Sequence, residues 1–202
     1  MLTIALPKGR IADETLDRFE KAFGEKFVFE DRKLILGKSG FKFLNVRNQD
    51  VPTYVMHGAA DLGVVGLDVL EEKEYDLIKL LDLKLGRCKV AFGLRAGEKL
   101  NFDKSKITIA TKHEKIAKKY FEQKAMAVEI IKLYGSIELA PLVGLCDCIV
   151  DIVETGETMK QNGLEVGPTI METTAHLIAN KNSFYAKKDL IFDLKDKLEK
   201  FL

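Results

Sequence analysis

No stretch of the 202-residue sequence approaches the roughly 20 consecutive apolar residues of a membrane-spanning helix, so no spanning segment is expected. The opening MLTIALPKGR has no long apolar core behind a basic start, which argues against export and for a cytoplasmic protein. An excess of one charge is missing too. With 32 Lys and Arg against 31 Asp and Glu, there is no global field to attract nucleic acid or an anionic membrane, and any anion binding must be local. Cysteine is scarce: Cys88, Cys146 and Cys148 cannot all pair, and no further Cys or His stands at ligand spacing, which disfavours a disulfide framework or a cysteine metal site. Cys146 and Cys148, one residue apart in an apolar strand-like run, are expected to be reduced, buried and turned the same way. Low-complexity segments and Ser/Pro linkers are also lacking, which argues against domains strung on flexible tethers.

What is present is 47% hydrophobic residues, enough for buried cores, arranged as short apolar runs alternating with amphipathic helical patterns. LTIALP reads as a strand and IADETLDRFEKAF as a helix, with Leu16, Phe19 and Phe23 spaced by three and four. KLILG and FKFLNVR read as a hairpin-like pair, VPTYVMHGAA as a helix opened by Pro52, DLGVVG as a strand and LDVLEE as a short helix. Two extended runs in residues 77–95 meet at Gly86. A second set follows: KITIAT, helix HEKIAKKYFEQKA, VEIIKLY, helix ELAPLVG and CIVDIV. The tail returns through TAHLIAN to DLIFDLKDKLEKFL, where Leu190, Leu194, Leu198 and Phe201 form the expected apolar stripe. The pattern implies two α/β lobes joined by paired crossings, residues 1–87 with 177–202 and residues 88–176.

The chemistry concentrates in VDIVETGETMKQNGL, residues 150–164. If CIVDIV is a strand and ETMKQNGL opens a helix, the bend between them presents free backbone N–H groups and the positive end of a helix dipole, which together suit a phosphate. Gly156 lets a phosphate approach the backbone, and Thr155 and Thr158 add hydroxyl donors. Carboxylates would repel that phosphate, so Asp151 and Glu154 suit ribose hydroxyls or a water-bridged Mg²⁺. A phosphorylated ribose answers both halves. The same letters also suit an ordinary Thr N-cap followed by a solvated Glu, which the pattern alone leaves open.

The run GSIELAPLVGLCDCIVDIVETGETMKQNGL, with LPKGR before it, VRNQDVPTYVMHGAADLGVVGLDVLEE between and TTAHLIANK after, resembles the ATP phosphoribosyltransferase family in its short form. The resemblance covers nearly the whole chain, with four blocks in the family's order. It implies a two-lobed fold like the type II periplasmic binding proteins, with a cleft between the lobes. The implied reaction is attack of ATP N1 on phosphoribosyl diphosphate, the first step of histidine biosynthesis. Asp151, Glu154, Thr155, Gly156, Glu157 and Thr158 would then surround the 5-phosphate and ribose. Mg²⁺ is implied by the diphosphates rather than by a protein cage. Two polyanions must meet, so basic residues are required: Lys8, Arg10 and Arg47, each after an expected strand end, and less directly Arg32. The short form further implies a catalytic homodimer within a hetero-oligomer containing a regulatory subunit that resembles histidyl-tRNA synthetase.

Other features carry plainer readings. GAADLGVVGLDVLEE lacks the GxGxxG spacing, so Gly63 and Gly66 are assigned to strand–helix packing and Asp68 to the cleft lining. Glu138 suits a helix cap or the cleft equally. His57, His113 and His176 have no Ser or Cys partner for a triad and are read as structural. Two rivals stand beside the resemblance: a non-catalytic small-molecule binding protein of the hinged two-lobe type, and a nucleobase phosphoribosyltransferase, whose loop usually carries two adjacent acids.

Overall fold

The computed structural model describes residues 1–202. In chain order the elements are β1 (Leu2–Pro7), α1 (Arg10–Phe23), β2 (Ile35–Lys38), β3 (Phe41–Val46), α2 (Val51–Met56), β4 (Leu62–Gly66), α3 (Leu67–Lys73) and β5 (Ile78–Asp82). Then come β6 (Cys88–Arg95), β7 (Ile107–Thr111), α4 (Glu114–Glu122), β8 (Val128–Lys132), α5 (Leu139–Leu142), β9 (Cys148–Val153), α6 (Glu157–Gln161) and β10 (Leu164–Thr173). The chain ends with β11 (Ala175–Ala179), α7 (Lys181–Ala186) and α8 (Lys188–Glu199). It divides into two compact units, Met1–Gly86 with Thr174–Leu202, and Arg87–Thr173. Each unit has its own sheet.

The first unit's sheet has the order β2-β3-β1-β4-β11-β5, with β3, β1 and β4 parallel and β11 antiparallel to both neighbours. Alternate residues of β1 serve opposite faces, as the pleat requires. Ile4 and Leu6 join Phe19 of α1 and Ile191 of α8, whereas Ala5 joins Val51 and Val55 of α2 and Val69 of α3. Helices on both faces explain why DLGVVG is apolar throughout rather than alternating. At Gly63 a Cβ would meet Val55 Cγ2 at 2.7 Å, so glycine is what lets α2 lie against β4. Phe19 packs edge-on to Phe43 with ring centroids 5.1 Å apart, within a cluster that includes Phe27 and Phe41.

The apolar stripe of α8 is displaced from its expected line. Ile191, Leu194 and Leu198 are buried, while Leu190 is 52% and Phe201 42% exposed, Phe201 lying beyond the helix end. Positions 190 and 191 both flank the 194–198 line, and contact with α1 selects the second. A separate short helix, α7, precedes α8, with Asn180 Oδ1 accepting from the Ser183 N–H at 3.0 Å as its N-cap.

The second unit's sheet has the order β10-β6-β9-β7-β8, again with both faces covered. Ile116, Ala117 and Phe121 of α4 pack on one face, and Ala140 of α5 with Met159 of α6 on the other. Cys148 belongs to the first face and Cys146 to the second, so the two thiols do not turn the same way. The strand begins only at Cys148, and the two-residue alternation does not extend back to Cys146. Strand β10, left without an element in the sequence reading, sits at the sheet edge with register shifts on either side of Thr169. Pro168, which has no N–H to donate, is tolerated at such an edge.

At the end of β5, Asp82 Oδ1 accepts from the Lys84 N–H at 2.9 Å and the Thr174 hydroxyl at 2.8 Å, and Lys84 Nζ pairs with Oδ2. Burial works to raise the Asp82 pKa, but Lys84, Thr174 and the charge of His176 outweigh it and hold it down to about 2. Because the folded pKa is depressed, this stabilisation is complete above the ordinary carboxylate value and fades as pH falls through about 2. The Asp82→Asn chain should therefore lose less melting temperature than the parent between pH 4 and pH 2, a difference of about 1–2 kcal/mol at most. Parallel declines in calorimetric scans would contradict the assignment.

Candidate active site

Strand β9 lies inside the second unit's sheet, parallel to β7, so the turns after both strands emerge at one edge. Backbone polar groups are free at that edge, and open α/β sheets bind ligands there. After Val153 the chain turns through exposed Glu154 and Thr155 to Gly156, whose φ of 82° and ψ of 0° are left-handed. A side chain at 156 would be strained and its Cβ would meet Val166 Cγ2 at 2.8 Å. Packing therefore demands glycine here as much as ligand approach would. The expected helix ETMKQNGL is only the five residues of α6, because Gly163 with φ 73° ends the path. Its first i→i−4 bond runs from the Lys160 N–H to the Gly156 carbonyl at 3.0 Å, leaving the N–H groups of Thr158 and Met159 without an intrahelical acceptor. Thr155 Oγ1 accepts from the Glu157 N–H at 3.3 Å.

Asp151, Glu154, Thr155, Gly156 and Thr158 line one pocket of about 320 Å³, wholly within this unit. Glu138 joins them from the N-cap position of α5, where its side chain makes no capping hydrogen bond. Glu157 is not part of the lining; its Oε1 accepts from Gln161 Nε2 at 3.2 Å. The pocket thus offers carboxylates, hydroxyls and outward N–H groups, a set that suits a sugar phosphate accompanied by a divalent cation. No three His, Cys, Asp or Glu side chains cluster as a metal cage. Burial pushes the Cys148 thiol up to about 12 and raises Cys146 as well, so neither is a nucleophile at neutral pH.

Behind Asp151 stand Lys112, which the sequence reading missed, and His113, which it read as structural. Asp151 Oδ1 accepts from the Ile152 N–H at 2.7 Å, lies 3.0 Å from Lys112 Nζ and 3.9 Å from Nε2 of His113. His113 is 1% exposed at the N-cap of α4. Only the adjacency of β7 and β9 brings these residues together, and no local pattern announces it.

In the first unit the basic candidates gather at the corresponding sheet edge. Pro7 of β1 is in register with Val46 of β3, and the Lys8 N–H donates to the Val46 carbonyl at 2.8 Å, so Lys8 and Arg47 leave neighbouring parallel strands side by side. Both are exposed, and neither is paired with a carboxylate. Arg10 opens α1 with Nε 3.5 Å from Glu14 Oε1. Asp68 is 3% exposed in the first turn of α3, after β4. Arg32 is exposed in the turn before β2, which runs antiparallel to β3 and so begins at the same edge. Asn45 Oδ1 and Asn48 Oδ1, on either side of Arg47, are buried and accept no hydrogen bond from this chain.

A family model described as ATP phosphoribosyltransferase matches residues 47–200. A protein of Wolinella succinogenes named ATP phosphoribosyltransferase is 66% identical over 200 residues, covering 99% of this chain and 97% of that relative. One of the same name from Sulfurovum sp. is 64% identical over 199 residues, 98% of this chain and 97% of the relative. Among solved structures, a chain of the "ATP phosphoribosyl transferase (HisG:HisZ) complex from Thermotoga maritima" is 36% identical with a TM-score of 0.84, covering 99% of this chain and 98% of that one. The substrate binding protein of an amino acid ABC transporter superposes with a TM-score of 0.62 over 98% of this chain and 91% of that one, at 12% identity, a likeness of fold alone. The chain, with its two α/β units, thus has the type II periplasmic-binding-protein-like fold and is a member of the ATP phosphoribosyltransferase family.

Proposed function

We infer that this chain transfers the 5-phosphoribosyl group of phosphoribosyl diphosphate to N1 of ATP, giving N1-(5-phosphoribosyl)-ATP and pyrophosphate, the first step of histidine biosynthesis. The observation that carries the reading is that Asp151, Glu154, Thr155, Gly156 and Thr158 line one pocket, in a chain 66% identical to a protein of that name. The adenine N1 lone pair forms the bond to the anomeric carbon while the bond to the diphosphate oxygen breaks, its electron pair leaving with pyrophosphate. No proton is lost from N1, so the site needs no strong base, and positioning and electrostatics dominate.

In this reading the N–H groups at the start of α6, with the hydroxyls of Thr155 and Thr158, hold the 5-phosphate. Asp151 and Glu154 accept from ribose hydroxyls and fix the presented face of the sugar. Asp151 and Glu154 would hold Mg²⁺ through bridging waters, and the ion, when bound, would supply positive charge against the diphosphate. Lys8 and Arg47, uncommitted to any carboxylate, offset the charge of the diphosphate, with Arg10 and Arg32 as further cations at the same edge. Glu138 adds a further carboxylate to the lining, and Asp68, in the first turn of α3, is kept as a lesser candidate for binding ATP or pyrophosphate.

The reading extends to assembly. Likeness to a chain of the HisG:HisZ complex supports a separate regulatory subunit. The family resemblance adds that this subunit is similar to histidyl-tRNA synthetase and joins catalytic homodimers. The deciding experiment mixes the protein with ATP, phosphoribosyl diphosphate and Mg²⁺, with and without the synthetase-like subunit, and follows the ultraviolet change of N1-substituted adenine. Turnover with purine bases instead of ATP, or no turnover in either mixture, would overturn the reading.

A further inference from the structure

We propose that Lys112 is a positioning residue for phosphoribosyl transfer, acting through the carboxylate of Asp151. The proposal rests on the reading of the 151–158 pocket as the phosphoribosyl diphosphate seat. The Asp151 carboxylate, which lines that pocket, is held at one oxygen by two donors. Oδ1 is held by the Ile152 N–H at 2.7 Å and by Lys112 Nζ at 3.0 Å. The Asp151 side chain is only 14% exposed, yet it lines the pocket. An ionised carboxylate pinned at one oxygen cannot spin about its terminal torsion, so the other oxygen keeps a fixed direction before the ligand arrives.

The turn that carries Lys112 is built for this task. Thr111, fully buried, donates its hydroxyl to the Val150 carbonyl at 2.6 Å and accepts from the His113 N–H at 2.8 Å. The end of β7 is thereby tied to the residue preceding Asp151, with Lys112 between the two anchored positions. His113 Nε2, 3.9 Å from Asp151 Oδ1 and 1% exposed, closes the far side. The Lys112 side chain is 33% exposed, so its removal leaves the core intact. A lysine at this place has a second effect. It balances a carboxylate that would otherwise repel an incoming polyanion.

The test is calorimetric binding of phosphoribosyl diphosphate with Mg²⁺ to the full chain, accompanied by kcat and KM with the regulatory subunit present. Lys112→Met should weaken binding about tenfold, as loss of an orienting partner does at other sites. Its kcat should change far less, and Lys112→Arg should restore most of the loss. The double variant Lys112→Met/Asp151→Asn should bind no worse than Asp151→Asn alone, because Lys112 acts through Asp151. Multiplying losses in the double variant would make Lys112 a direct ligand contact and overturn the proposal. Unchanged binding in both Lys112→Met and Lys112→Gln would also overturn it. If Asp151→Asn itself binds normally, the pocket reading fails, and this proposal with it.

Discussion

A chain carrying Lys187→Met should melt about 6–12 °C below the parent at pH 7, from a loss of about 3 kcal/mol. The reason is Asp61, a carboxylate only 6% exposed. It accepts from Lys187 Nζ at 2.7 Å, the Ser183 hydroxyl at 2.7 Å and the Thr3 N–H at 2.9 Å. Burial works to raise its pKa, but the Lys187 hydrogen bond, those from Thr3 and Ser183, and the Lys187 charge together hold it below the ordinary value. Without Lys187 a buried charge keeps only two neutral donors, and such a charge is far costlier than a lost surface pair. The variant's deficit should narrow on acidification, since there the uncompensated carboxyl takes up a proton and ceases to be a buried charge. Scanning calorimetry at pH 7 and pH 4.5 checks both parts, and a melting temperature within about 2 °C of the parent at pH 7 would sink the account.

Arg47→Ala should lower kcat about 100-fold while changing the KM for ATP by less than about fivefold. Arg47 follows β3, is exposed, and is not spent on an internal carboxylate, whereas Arg10 at the neighbouring turn already pairs with Glu14. A free guanidinium offers a rigid fork of donors to phosphate oxygens. If its task is to meet the charge that builds on departing pyrophosphate, its loss appears in turnover rather than in ground-state affinity. Steady-state kinetics at saturating phosphoribosyl diphosphate separates the cases. Loss of ATP affinity with kcat preserved would reassign Arg47 to nucleotide binding.

Much of this was legible because the signals are local. The period of three and four in α1 follows from a helix with one buried face, and the unbroken apolar run of β4 from a strand covered on both sides. The 151–158 loop was legible for the same reason: a strand end, a left-handed glycine and hydroxyls within a few residues are enough to specify a bend. Where two assignments shared the same local pattern, sequence reasoning had no means of choosing. The α8 stripe is one instance, since Leu190 and Ile191 both flank Leu194 and Leu198. Edge strand β10 is another, because Gly167 and Pro168 break the alternation that would mark a strand, and only pairing with β6 reveals it.

The amino-acid sequence by itself determined the order and type of most elements, the bend that follows β9 and the cations that leave β1 and β3, because each is written in a short window of the chain. Tertiary structure alone decided which distant residues meet. The insertion of β11 between β4 and β5, the adjacency of β7 to β9 that brings Lys112 and His113 to Asp151, and the seating of Lys187 on Asp61 all depend on strand order and helix docking. Those are fixed by the joint burial of faces from segments far apart in the chain. Burial is a property of the assembled core, and no window of neighbouring residues contains it.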